Sequence, residues 1–128
     1  MSELSFSHLD PSGHARMVDV TPKEPTHRRA VARCKVFMSP ETTAAVAHRE
    51  MKKGDVIAVA RVAGIQAAKR TSDMIPLCHP LFISAVSVNF DIADDHVAVE
   101  VQVDTVDRTG VEMEALHACS VAALTIYD

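Results

Sequence analysis

Tryptophan is missing from the 128 residues, and four phenylalanines and one tyrosine supply all of the 4% aromatic content. Any core must therefore be built from Ala, Val, Ile, Leu and Met, which favours thin elements packed closely together. The three cysteines show no regular pairing, no basic-then-apolar leader follows Met1, and no apolar run is long enough to cross a bilayer. These absences point to a soluble, cytoplasmic protein without a disulfide framework. Only 4 glycines and 6 prolines beside 48% hydrophobic residues exclude a disordered or low-complexity chain. No phosphate-cradling glycine loop, GxGxxG, nucleophile elbow or HExxH pattern occurs, which removes the commonest nucleotide-binding and hydrolase readings. Basic residues nearly vanish from the second half: residues 71–128 hold only Arg108 against 10 carboxylates, whereas residues 1–70 hold 12 Lys and Arg against 7. That split fits either a basic, anion-binding patch beside acidic groups that move protons, or two solvated faces of opposite sign.

What is present fits one domain. Residues 1–16 have no periodicity and read as a flexible N-terminal arm without chemistry, leaving residues 17–128 as the single domain. In residues 29–38, Ala32, Cys34, Val36 and Met38 alternate with Arg33 and Lys35, the pattern of a half-buried strand. Ser39, Pro40 and Glu41 start a short helix that reaches about Arg49. Asp55 caps a second helix whose stripe is Val56, Val59, Ala60, Ala63 and Ala67. Residues 71–80 carry two prolines and read as a shaped loop. Phe82, Ser84, Val86, Val88, Phe90 and Ile92, then Val97, Val99, Val101 and Val103 after a turn at Asp94 and Asp95, predict an antiparallel hairpin. Its other face is polar, bearing Asn89, Asp91, Glu100, Gln102 and Asp104. Thr109 opens a last helix with Val111, Ala115, Ala118, Ala122 and Ile126 at helical spacing. The order predicts an α+β, ferredoxin-like βαββαβ-type sandwich, an antiparallel sheet with helices on one face, whose last strand is absent from these residues.

Several groups could carry chemistry. Lys53 and Gly54 precede the second helix and Lys69 ends it, cations suited to a phosphorylated ligand, although Lys69 also complements its helix end. His79, beside Cys78 between prolines, is a hydrogen-bonding or acid-base group, or else a plain loop histidine with a buried thiol neighbour. Adjacent Cys and His without a second pair do not make a structural zinc site, and no metal ligand set is assigned. Thr109 and Glu112 fit a capping box, which accounts for Glu112 without a ligand. Glu114 is not covered by that motif and can accept hydrogen bonds from a purine-like edge. Asp128, at the far end of the last helix, has no capping role and is an acid-base candidate. The other histidines, including His8 and His117, share no spacing and read as solvent-facing.

Three blocks, MVDVT (17–21), KGDVIAVARVAGIQAAKRTSDMIPLCHPL (53–81) and TGVEMEALHACSVAALTIYD (109–128), resemble the signatures of the cyclic pyranopterin monophosphate synthase family of molybdenum cofactor biosynthesis. The resemblance implies a ferredoxin-like fold, assembly as a hexamer of three dimers and an active site at the dimer interface. It implies conversion of (8S)-3′,8-cyclo-7,8-dihydroguanosine 5′-triphosphate to cyclic pyranopterin monophosphate and diphosphate. By match of residues, Lys53 and Asp128 are the catalytic pair. Leu77, Cys78, His79, Met113, Glu114, Glu112, Lys69 and Arg28 bind the substrate. No tightly bound cofactor is implied, and Mg2+ would come with the substrate triphosphate. Family members continue past this aspartate with a segment of the type MxKA, a last strand and a lysine- and glycine-rich tail. Loss of a sheet strand would leave an open edge, so a shortened sequence is expected rather than an inactive copy.

The competing class is a ligand-binding or regulatory module that lacks catalysis. RNA binding is disfavoured, because the polar hairpin face offers carboxylates where aromatics in a basic field are wanted.

Overall fold

The computed structural model describes residues 6–52 and 54–128. Its elements are β1 (Thr26–Phe37), α1 (Pro40–Ala47), α2 (Val56–Lys69), α3 (Thr71–Met74), β2 (Ala85–Ile92), β3 (His96–Asp107) and α4 (Glu112–Tyr127). The strands form one antiparallel sheet in the order β1-β3-β2, with the longest contacts running along β3. A third strand inserted between the first two is the α+β, ferredoxin-like arrangement expected from the element order.

Alternation along β3 sets the two faces. Val97, Val99, Val101 and Val103 are at most 1% exposed, whereas Glu100 and Asp104 turn to the other side. Register places Arg33 opposite Glu100 and Arg29 opposite Asp104, and in each pair the guanidinium Nε donates to the carboxylate at 2.7 Å. Two cations of the basic first half thus meet two carboxylates of the acidic second half on one sheet face as cross-strand pairs. A one-residue slip would bury these charges and expose the valines.

The inner face is covered by α2 and α4. Asp55 caps α2 by accepting from the Ala58 amide at 3.1 Å, and Ser39 caps α1 through the Thr42 amide at 3.3 Å, with Pro40 in the first turn. The buried positions of α2 are Val56, Ala60, Gly64, Ala67 and Ala68. Val59, expected in this stripe, is 52% exposed, because the contact line follows four-residue steps through Gly64. A Cβ at Gly64 would stand 3.3 Å from both the Ala118 carbonyl and Val88 Cγ2, so a hydrogen is what lets α2, α4 and β2 meet. The α4 stripe Val111, Ala115, Ala118, Ala122 and Ile126 is buried as its spacing predicts.

Three local expectations change. Residues 71–80 begin with the four-residue α3 before the loop. The hairpin starts at Ala85, so Phe82, 78% exposed, and Ser84 lie before it; the Phe82 carbonyl is held instead by the Thr105 hydroxyl. The last helix opens two residues later than Thr109 would require, with Val111 at its cap and no side-chain cap bond. Glu112 consequently occupies the first helical position, and its carboxylate folds back over Gly110, where a Cβ would collide with it. Residues 6–16, read as an aperiodic arm, form a tight hairpin described below. Among the described residues, no helix is long and apolar enough to cross a membrane.

Gly64→Val is expected to destabilise the fold by about 1–3 kcal/mol, since neither the Ala118 backbone nor the packed Val88 can retreat. Urea denaturation checks this; an unchanged midpoint would mean that the helices separate freely.

Candidate functional site

A cavity of about 730 Å³ opens at the N-terminal end of α4. The loop after α3 contributes Leu77, Cys78 and His79, and the start of α4 contributes Glu112, Met113 and Glu114. The remaining wall comes from the N-terminal segment, including Ser7, His8, Val18 and Lys23. Each group is aimed by local structure. Pro76 and Pro80 bracket the loop, and the Cys78 amide donates to the Ile75 carbonyl at 3.1 Å, which turns the thiol toward α4.

Glu114 is only 2% exposed. The Cys78 thiol donates to its Oε2 at 3.5 Å, while Oε1 is buried and lacks a hydrogen-bond partner among the described residues. Burial pushes the Glu114 carboxyl above the ordinary glutamate range, with the nearby Glu112 acting in the same direction and the Cys78 hydrogen bond opposing it. Burial, then the facing Glu114 carboxylate, raises Cys78 to about 11. At neutral pH Cys78 is therefore a thiol that donates a hydrogen bond, not a thiolate nucleophile. Asp19 is held below the usual carboxylate range chiefly by hydrogen bonds from Thr21, whose amide lies 2.9 Å away, with His79 adding attraction.

Comparison with known proteins bears on what this geometry serves. The family model described as MoaC family matches residues 17–128. The chain belongs to the MoaC family. It is 59% identical to the cyclic pyranopterin monophosphate synthase of Roseiflexus sp. (strain RS-1), over all of this chain and 81% of that protein. It is 51% identical to the protein of the same name from Peptoclostridium acidaminophilum, over 98% of this chain and 80% of that one. A molybdenum cofactor biosynthesis bifunctional protein of Chlorobaculum tepidum is 53% identical over 98% of this chain and 40% of its own length.

Within this MoaC chain only some of the expected site residues come together. Leu77, Cys78, His79, Glu112, Met113 and Glu114 share the cavity. Lys69 lines an adjoining hollow of about 280 Å³ that shares Leu81 with it. Arg28 sits half-buried on the helix-facing side of β1, opposite Thr105, with its Nε buried and unpartnered among the described residues. Asp128 stands elsewhere. The helices run antiparallel: Gly64 meets Ala118 and Ala122, while further along α2 the Ala67 carbonyl accepts from His117 Nδ1 at 3.0 Å. The start of α2 and the end of α4 therefore share one end of the domain, and Asp128 lies about 21 Å along the helix from Glu114. Lys53 lies outside the described residues; its neighbour Gly54 adopts φ +86° in a turn closed by its own amide on the Met51 carbonyl at 2.9 Å. That conformation favours glycine even though no atom crowds the position.

His117 is the clearest functional neighbour that the sequence did not mark. Expected to face solvent, it is half-buried, and its Nδ1 reaches Thr71 Oγ1 at 3.1 Å as well as Ala67 O. A carbonyl only accepts, so Nδ1 carries the proton. The bond ties α4, one turn past Glu114, to the α2–α3 junction that leads into the Cys78 loop. Its spacing of three from Glu114 was the available signal. Among the described residues, no three His, Cys, Asp or Glu side chains are grouped to hold a metal ion.

The folded state holds the Glu114 proton to higher pH than the unfolded chain does. Its contribution to stability is therefore full below the ordinary glutamate range and is lost as pH rises through the raised folded value. Glu114→Gln stays neutral, so its melting temperature should match wild type near about pH 4 and exceed it near about pH 8. Thermal melts across pH read this directly; parallel curves would show that the carboxyl is not raised.

Proposed function

We propose that this chain is a cyclic pyranopterin monophosphate synthase that converts (8S)-3′,8-cyclo-7,8-dihydroguanosine 5′-triphosphate to cyclic pyranopterin monophosphate and diphosphate. The observation that carries the reading is the buried Glu114 oxygen, unpartnered among the described residues, beside a cavity large enough for a nucleotide. Leaving such an acceptor unpaired costs about 1–3 kcal/mol, a cost that a ligand N–H removes. A guanine-derived ring presents such donors. Identity to proteins named as this synthase supports the reading over a binding module without catalysis.

On this reading Glu114, Met113 and the Leu77–His79 loop hold the ring system, and Arg28 and Lys69 serve the phosphates. Asp128 exchanges protons with a lysine as the imidazole ring opens and the pterin closes, and Lys53 balances charge on the departing diphosphate. Mg2+, where used, accompanies the triphosphate. Protein and substrate meet in the cytoplasm.

The separation of Asp128 from the cavity supports assembly from more than one copy, with the Asp128 end of one protomer completing the Glu114 end of another. Apolar side chains on the outer helix surfaces support the same reading: Leu116, Leu124 and Tyr127 on α4 and Val59 and Val62 on α2 are each at least 52% exposed. A homohexamer built as a trimer of dimers accommodates this.

Lys53→Ala and Asp128→Ala are each expected to lower turnover of the cyclised substrate at least about 100-fold, as loss of a proton-transfer group does; near wild-type diphosphate release would sink the assignment. Mixing Asp128→Ala with Glu114→Ala chains, unfolded and refolded together, tests the shared site. Random pairing makes half of the dimers mixed, each with one intact site, so about a quarter of wild-type activity should return. No recovery would place both groups in a single chain's site.

A further inference from the structure

The cavity wall opposite α4 is made by residues that lie partly outside the family match. The hairpin of residues 6–16 precedes the matched stretch, which starts at residue 17. It is a built structure. Leu9 pairs with Ala15, the Asp10 amide donates to the His14 carbonyl at 2.8 Å, and the Arg16 amide donates to the His8 carbonyl at 2.7 Å. Asp10 Oδ1 accepts from the Ser12 and His14 amides, each at 2.9 Å, and Gly13 closes the turn with φ +83°. The segment that follows is tied to the sheet end by Arg108, whose Nε donates to the Lys23 carbonyl at 3.1 Å.

Two of the side chains on this wall are His8 and Lys23, while Glu112 and Glu114 stand on the wall made by α4. The cavity thus has basic side chains on one side and carboxylates on the other. His8 Nδ1 lies 3.3 Å from the Arg16 carbonyl, which can only accept, so this nitrogen bears the proton and the ring is held in place. Its Nε2 has no partner among the described residues.

We propose that the hairpin is a working wall of the ligand site and that His8, together with Lys23, binds the phosphate chain of the ligand. This rests on the nucleotide-derived substrate proposed above. Phosphate oxygens are repelled from the Glu112 and Glu114 side, and an imidazole whose Nδ1 proton is committed to Arg16 leaves Nε2 to share a proton with a phosphate oxygen. The ring system then takes the carboxylate side, where donors are wanted. A segment preceding the family match contributes a binding residue.

The experiment uses the full chain, with guanosine triphosphate and inorganic diphosphate as calorimetric probes beside turnover of the cyclised substrate. His8→Ala should weaken both probes and raise KM about fivefold, the scale of a solvent-accessible charged contact, with kcat unchanged. Gly13→Val, which strains the turn and leaves His8 in the chain, should do the same without moving the melting temperature. His8→Lys, which places a fixed cation at this position, should retain most of the affinity. Wild-type KM and probe affinity in both disrupting variants would overturn the proposal, as would a wild-type chain that binds neither probe. Binding of both probes that depends on His8, without diphosphate release from the cyclised substrate, would uphold the hairpin and overturn the synthase reading. Turnover that is indifferent to His8 would do the reverse.

Discussion

The pairing of β1 with β3 is the constraint on which the rest of the molecule depends. One register puts four valines of β3 against the helices and simultaneously sets Arg33 over Glu100 and Arg29 over Asp104 on the other face. Burial of the valines supplies the driving force, and the ion pairs, which are solvent-accessible, contribute little energy but penalise a slip. With β3 fixed, its end at Asp107 launches α4 back across the sheet. The cavity sits at that turn because the loop after α3 reaches the same edge.

Small side chains carry this geometry inward. Gly64, Ala118 and Ala122 let two helices and a strand approach closely, which compensates for a core without tryptophan and with few other aromatics. The same thinness leaves large apolar side chains, Leu124 and Tyr127 among them, on the outer surfaces. A domain built this way places its candidate site residues at the two ends of its helices and exposed apolar side chains along their length. Glu114 and Cys78 occupy one end and Asp128 the other, and the proposed assembly of copies would join them.

Much of the architecture was legible in the residues. The valine alternation, the Asp55 and Ser39 caps and the buried stripe of α4 all follow from local chemistry, and each folds as expected. The misses share a cause. Val59 was drawn into a stripe because hydrophobicity marks a face only to within a residue or so, whereas close packing at Gly64 chose the contact line. The capping box at Thr109 fitted a motif, yet the helix begins where the chain clears the sheet edge, so Glu112 lands in its first turn. The hairpin of residues 6–16 has no periodicity to detect, but Asp10, Pro11, Ser12 and Gly13 are turn formers in succession, and that was a readable sign.

What the sequence determined by itself was the set of chemical groups and the family blocks that hold them, together with the type of each main element, because these depend on neighbours within a few residues. What only the tertiary structure decided was which of the carboxylates is buried and where each stands. Glu114 becomes a desolvated acceptor with a thiol partner 36 residues away, and Asp128 is carried to the opposite end of the same helix. Neither outcome is written in local pattern, since desolvation comes from chain segments that meet only when the sheet and its helices pack.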